Sequence, residues 1–229
     1  MFRAAATGFV SAVLMCTAAF PSNAQDRALQ HEFQFNLGAN SHQAYELELA
    51  YSLMYRKTVG ITVGLNTMQQ TLKEVGYRIE DPLTYRWVIT KKQRKAGDML
   101  LRPALRFRFP ILRQEGENVL YFNIEPGAFI SLNPNKTLRF DYVDMHNPAH
   151  LPIKREKATN AGGRTLFYHI RGYLTFDIGR YMVSAGFGYS DFDIYNGWRN
   201  IVFEDVRVND LIWKRRTTRT LFISAGYYF

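Results

Sequence analysis

His169, Ser184, Ser190 and Asp191 are the residue types of a hydrolytic triad: an imidazole base, a hydroxyl nucleophile and a carboxylate that orients the base. The serines lie on, or just past, the alternating segment that follows the one holding His169. No nucleophile elbow surrounds either serine, so a hydrogen-bonded interior histidine is the simpler assignment. His146 and His150, with Asp141 and Asp144 nearby, have a spacing that would suit a metal on a helix. Pro148 stands between them and the flanks are polar loop, so neither a metal nor another cofactor is expected. There is no phosphate-cradling glycine loop and no zinc signature.

The clearest constellation is ionic. Glu32, Glu46, Glu48, Glu125 and Asp177, with Arg102, Arg106, Arg108 and Arg171, fall on the polar side of alternating segments, as does His169. Such charges line a gate or an ion path, or they pair into a plug. Burying a charge costs several kcal/mol unless it is paired and hydrogen-bonded, and the near balance of acids and bases favours the plug. Basic clusters recur elsewhere: Lys91, Lys92, Arg94 and Lys95; Lys154, Arg155 and Lys157; Lys214, Arg215 and Arg216. They read as a solvated rim or as contacts to surface phosphates, each worth about 1 kcal/mol near an anionic surface.

The elements that must position these groups are strands. From Gln25 the chain gives eight segments of about ten residues in which bulky apolar side chains alternate with small or polar ones. Tyr45, Leu47, Leu49, Tyr51, Leu53 and Tyr55 oppose Glu46, Glu48, Ala50 and Ser52. Leu101, Pro103, Leu105, Phe107 and Phe109 oppose Arg102, Ala104, Arg106 and Arg108. In the last segment Leu221, Ile223, Ala225, Tyr227 and Phe229 oppose Phe222, Ser224, Gly226 and Tyr228. Pro103 and Pro126 each remove a ladder hydrogen bond, and a local bulge is expected at both.

Connections alternate in length. Short turns are expected at Arg56-Lys57-Thr58 and Ile178-Gly-Arg180, and a link of about ten residues around Gln114–Asn118. The links between segments three and four, five and six, and seven and eight each run to roughly thirty residues. Only the first link of that set, around Asn40-Ser-His42, is short. Aromatic residues gather toward the short-turn end: Phe33, Tyr55, Phe109, Phe122, Phe176, Tyr181, Tyr227 and Phe229.

Residues 1–24 read as an export signal: Arg3 in a short positive start, an apolar run to Phe20, and Ser22-Asn-Ala24 before the cut. Cys16 would suit a lipoprotein signal, but Met15 precedes it where a small residue is needed. No other cysteine exists, which removes disulfides and thiolate metal sites from residues 25–229. The formal charge of +9 falls to +8 without Arg3. For an exported chain that balance points to anionic lipid headgroups, not nucleic acid. No later run approaches the roughly 20 apolar residues of a spanning helix, so a membrane role requires a closed barrel.

The alternating segments, the uneven connections and the terminal aromatic strand resemble small eight-stranded outer-membrane proteins of the OmpX and OmpA transmembrane-domain class. In texture they are similar to outer-membrane β-barrel families of Bacteroidota. The resemblance covers residues 25–229 as one domain: an all-β, antiparallel, up-and-down transmembrane barrel with three long extracellular loops. It implies residence in the cell outer membrane among lipid and lipopolysaccharide, and a monomeric state. It also implies that Tyr227 and Phe229 belong to a signal read by the barrel-assembly machinery. The implied function is non-enzymatic: envelope integrity, surface adhesion, or service to an export partner through the loops. The alternatives are a lipid-A-modifying barrel enzyme, which would use His169, a serine and an acid on the lipid side of the wall, and a narrow channel. A soluble lipocalin-type barrel would turn the apolar face inward. The glycines on the polar face suit a narrow interior better than a solvated surface.

Overall fold

The computed structural model describes residues 29–70, 78–80, 85–89, 95–114, 117–144, 146, 149, 151–204, 206–212 and 214–229. The expected export signal lies outside them. In chain order the strands are β1 (Leu29–Asn40), β2 (Ala44–Tyr55), β3 (Val59–Gln70), β4 (Arg78–Glu80), β5 (Tyr85–Ile89), β6 (Gly97–Gln114) and β7 (Glu117–Ser131). They continue as β8 (Thr137–Asp144), β9 (Pro152–Thr159), β10 (Leu166–Ile178), β11 (Tyr181–Ser190), β12 (Val202–Phe203), β13 (Val206–Arg207) and β14 (Thr218–Tyr228). β1, β2, β3, β6, β7, β10, β11 and β14 pair antiparallel, each with the next, and β14 returns to β1. This is a closed up-and-down barrel of eight strands.

The alternation decides which way the wall faces. Along β2 the burial pattern switches at nearly every residue, with Glu46 and Glu48 buried and Tyr45, Tyr51 and Tyr55 exposed. Outward side chains include Ile61, Leu105, Val183, Leu221 and Ile223, all more than half exposed. A belt of bare aliphatic residues around a charged interior is the polarity of a barrel solvated by lipid; water would require the reverse. No helix among the described residues is long and apolar enough to cross a membrane. Because a one-residue slip would turn every charge toward lipid, the register is strongly fixed.

Short turns cap one end. Arg56 and Lys57 both take positive φ (48° and 56°), and the Thr58 N–H closes the turn onto the Tyr55 carbonyl at 3.0 Å. That handedness matches the twist of the flanking strands. Gly179 (φ 64°) turns β10 into β11. The link between β6 and β7 is residues 115–116, not the ten-residue loop expected, because both strands extend well beyond their apolar stretches. The proline expectation also needs correction. Pro103 stands opposite Val63 and Pro126 opposite Ile170 in unbroken ladders. Between β6 and β7 the pairing lapses at both prolines, as a lost ladder bond requires, but the register is kept and no bulge forms. The register shift falls instead around Pro110 and Leu112, near the short-turn end.

At the other end the long links fold. β5 from the first pairs with β8 from the second, giving a four-stranded sheet in the order β4-β5-β8-β9. β12 and β13 form a small ribbon in the third link. Beneath them lies an apolar core that includes Phe140, Phe192, Tyr195, Trp198, Phe203 and Phe167. Phe140 and Phe203 stack with centroids 4.0 Å apart, and Phe192 meets Phe167 edge-on at 5.0 Å. Residues 192–198 are buried throughout. The described parts of the long links thus form a packed cap.

Candidate functional site

The lumen is crossed by one ionic network. Glu48 on β2 receives Arg102 Nε and Nη2 from β6 at 3.0 and 2.9 Å, and Arg171 Nη1 and Nη2 from β10 at 2.8 and 2.9 Å. Asn36 adds an amide bond at 2.8 Å and Asn66 a longer one at 3.3 Å. Arg102 Nη1 donates to Glu125 Oε2 at 2.7 Å, and the Tyr173 hydroxyl donates to Glu125 Oε1 at 2.7 Å. Nearer the short turns, Glu32 takes Arg106 at 2.5 Å and Arg108 at 2.9 Å. Asn123 accepts from Nε of both arginines and passes a donor to Thr175, which bonds Ser184.

Every carboxylate and guanidinium in this chain of contacts is at most 3 % exposed. Such burial is tolerable because each charge meets an opposite one and the remaining lone pairs are largely filled. Tyrosine rings lie against the arginines: Tyr173 against Arg106 at 5.4 Å, Tyr121 against Arg108 at 5.2 Å. Two glycines make the room. A Cβ on Gly64 would stand 2.9 Å from the Glu48 carboxyl carbon, and one on Gly186 would stand 2.2 Å from the Tyr173 Cβ.

Two expected members sit apart from the arginines. Glu46 accepts from Thr220 Oγ1 (2.6 Å) and Asn40 Nδ2 (3.0 Å), and no arginine among the described residues pairs with it. Asp177 is half-buried at the short-turn end and takes the Tyr228 hydroxyl at 2.5 Å.

The triad candidates do not converge. His169 faces the lumen, its ring 4.1 Å from Phe129, and its Nδ1 has no hydrogen-bond partner. Ser190 is its cross-strand neighbour, but the Ser190 hydroxyl donates to the Tyr168 carbonyl at 2.6 Å and accepts from the Phe192 N–H. Ser184 is committed to Thr175, and Asp191 pairs with Arg164 at 2.7 Å. All three side chains on the strands point away from the lipid side. A second histidine, His31, lies on β1. Among the described residues no group of three or more His, Cys, Asp or Glu could hold a metal. His146 contacts Asp144, and His150 lies outside the described residues.

The basic clusters belong to the cap. Arg155 pairs with Asp141 at 3.0 Å, Lys154 bridges Glu156 and lies 5.9 Å from the Trp87 ring, and Lys157 is exposed opposite Arg139. Lys95, Lys214, Arg215 and Arg216 are exposed, and Arg215 Nη1 donates to the Ser41 carbonyl at 2.8 Å. Lys91, Lys92 and Arg94 lie outside the described residues. At the barrel seam Tyr227 meets Tyr181 edge-on at 5.4 Å and stacks on Phe229 at 6.2 Å. The Phe229 N–H donates to the His31 carbonyl at 3.0 Å.

Two buried groups in the cap carry no warning in the sequence. Lys136 is held between Asp98 Oδ1 (3.3 Å) and the Gly97 carbonyl, and burial pushes its amine pKa down. His42, in the turn between β1 and β2, lies edge-on to Tyr195 with both ring nitrogens buried. Burial, the largest influence on it, lowers its pKa below the usual imidazole range. Their only signal is negative: each lies among loop residues, where exposure is the ordinary expectation.

No family model matches the chain. No curated protein matches it in sequence either. Among solved structures it is similar to Ail, the attachment invasion locus protein of Yersinia pestis, with 10% identity over 88% of this chain and 97% of that one (TM-score 0.39). It is similar to Neisserial surface protein A, with 8% identity over 88% and 96% (TM-score 0.41). It is also similar to a major outer membrane protein from Thermus thermophilus, with 11% identity over 87% and 99% (TM-score 0.48).

Proposed function

We propose that this chain is a non-enzymatic, monomeric barrel of the outer membrane that presents its folded cap at the cell surface as a binding face. The observation that carries the reading is the pairing of Glu48 with both Arg102 and Arg171 across the lumen, under a cap whose own core is packed. A lumen spanned by ion pairs lacks the open, singly charged path that conduction requires. Among the described residues no nucleophile is assembled on the outer wall, since His169, Ser184 and Ser190 face inward. What the barrel offers to its surroundings is its cap, where Lys154, Lys157, Lys214 and Arg216 are exposed toward anionic lipopolysaccharide or a surface partner. Contact with the assembly machinery would run through Tyr227 and Phe229.

The test is cysteine accessibility on intact cells. Cysteines replacing Lys157 and Lys214 label with an impermeant maleimide, whereas those replacing Lys57 and Arg180 do not. Labelling of the second pair only would invert the orientation and end the surface reading.

A further inference from the structure

We propose that the cap contains a binding cleft for a saccharide bearing an oxyanion, a phosphate or a carboxylate. The cleft measures about 550 Å³ and lies between the second and third long links. That size is ordinary for small-molecule sites, about 300–1,000 Å³. Its charged lining is Arg164, Arg199, Arg207 and Arg216 with Asp191 and Asp193.

These charges divide into two sets. Arg164 is spent on Asp191 at 2.7 Å, and Arg199 on Asp193. Arg207 and Arg216 are exposed, and neither forms an ion pair with a described residue. Two guanidinium forks therefore remain for an incoming anion, in the geometry that suits carboxylate or phosphate oxygens. The cleft is built, not incidental. Asn196 Nδ2 donates to the Arg164 carbonyl at 2.7 Å, and Asn200 Nδ2 to the Gly162 carbonyl at 2.7 Å. Arg199 Nη1 donates to Asn209 at 3.0 Å, which joins the far wall.

A naked anion is not the best fit. Asp191 and Asp193 would repel it, and the Asp191 carboxylate, about a third exposed beside Arg164, can accept further donors. Hydroxyl groups would supply such donors. Val202, 57 % exposed, also lines the cleft and offers apolar surface to a ring. A sugar combines hydroxyl donors, an apolar ring face and, when phosphorylated or oxidised, the anion that Arg207 and Arg216 can hold. The source is either a membrane glycolipid or a soluble saccharide, and the chemistry is shared.

This inference rests on the cap facing outward but is tested apart from it. The mature protein, purified in detergent micelles, is titrated calorimetrically with glucose 6-phosphate, with glucose, and with inorganic phosphate. Glucose 6-phosphate is expected to bind more tightly than either comparator. Arg207→Gln and Arg216→Gln should each weaken it by about tenfold, and Lys57→Gln, in a short turn at the opposite end of the barrel, should leave it unchanged. Asp191→Asn should tighten inorganic phosphate and narrow the preference for the sugar. Vesicles carrying lipopolysaccharide that displace the probe would assign the site to a membrane glycolipid; a lack of competition would assign it to soluble saccharide. Absence of glucose 6-phosphate binding, or binding equal in the Arg207→Gln and Arg216→Gln proteins, overturns the proposal. Either result leaves the cysteine-labelling test of orientation untouched.

Discussion

Glu48 and Arg171 face each other across the barrel, joined by two parallel N–H···O contacts of 2.8 and 2.9 Å between strands 123 residues apart in sequence. Neither is more than 3 % exposed. The geometry is a bidentate fork, the strongest arrangement available to a guanidinium and a carboxylate. With Arg102 on its other side, Glu48 is the point at which β2, β6 and β10 are tied together.

Replacing Glu48 with Ala should therefore cost more than loss of one contact, because two buried guanidiniums lose their shared partner. A destabilisation of at least about 3–5 kcal/mol is expected. It would be read as a lower melting temperature of the detergent-solubilised barrel, or as loss of heat-modifiable migration on a gel. Glu46→Gln is the contrast. Its partners are neutral donors, so a neutral acceptor in place of its carboxylate should shift melting far less.

Conductance should follow the network. In planar bilayers the unmodified protein should give no steady current, while Arg106→Ala should give frequent small openings. Arg106 bridges Glu32 and reaches Glu125, and its removal leaves space beside two carboxylates. A large steady conductance in the unmodified protein would favour the channel reading.

The cap can be loosened without opening the barrel. Phe203→Ala removes a ring stacked on Phe140 at 4.0 Å and meeting Trp87 at 4.9 Å, a loss of about 3–5 kcal/mol for a buried aromatic. Trypsin should then cut after Lys154, Lys157 or Arg207 at rates well above those for the unmodified protein. A protected fragment containing β10 and β11 should persist. Equal cutting of both proteins would show that the stacking does not hold the cap.

Phe229→Asp should lower the amount of protein in the outer membrane while leaving the melting of whatever assembles within a few degrees. Phe229 is half-buried, touching His31 and Tyr227, so its own burial is worth only about 1.5–3 kcal/mol at most. Normal membrane levels of the variant would remove the terminal residue from any assembly role.

The eight barrel strands were legible because a lipid-facing wall forces strict alternation, and Tyr45 to Tyr55 displays it without interruption. The inward set was legible for the same reason. The partners were not. Nothing in the sequence distinguishes Glu48, which meets two arginines, from Glu46, which meets Thr220 and Asn40. The difference is set by how far each residue sits along the barrel axis relative to strands that are distant in sequence. The cap sheet was missed because β5 and β8 pair over a long separation with no hairpin turn to announce it. Charged residues such as Arg155 and Lys157 also masked its alternation. The buried run from Phe192 to Trp198 did carry a signal in its four large apolar side chains, which a solvated loop has no reason to keep.

The network has a consequence for the order of events during folding. Arg102, Arg106 and Arg108 leave the same strand, whereas Glu32 and Glu48 arrive from β1 and β2, and Arg171 from β10. While the sheet is still open, all of these groups can keep their water. Glu48 and Arg102 stand only one strand apart, on either side of β3. Arg171, however, comes within reach of Glu48 only when β14 meets β1 and the sheet closes, and water leaves as they pair. A sheet closed two residues out of step would preserve its greasy exterior and yet strand charges opposite the wrong neighbours. The interior thus proofreads the seam: shear errors that the lipid face tolerates are rejected by electrostatics at the moment of closure.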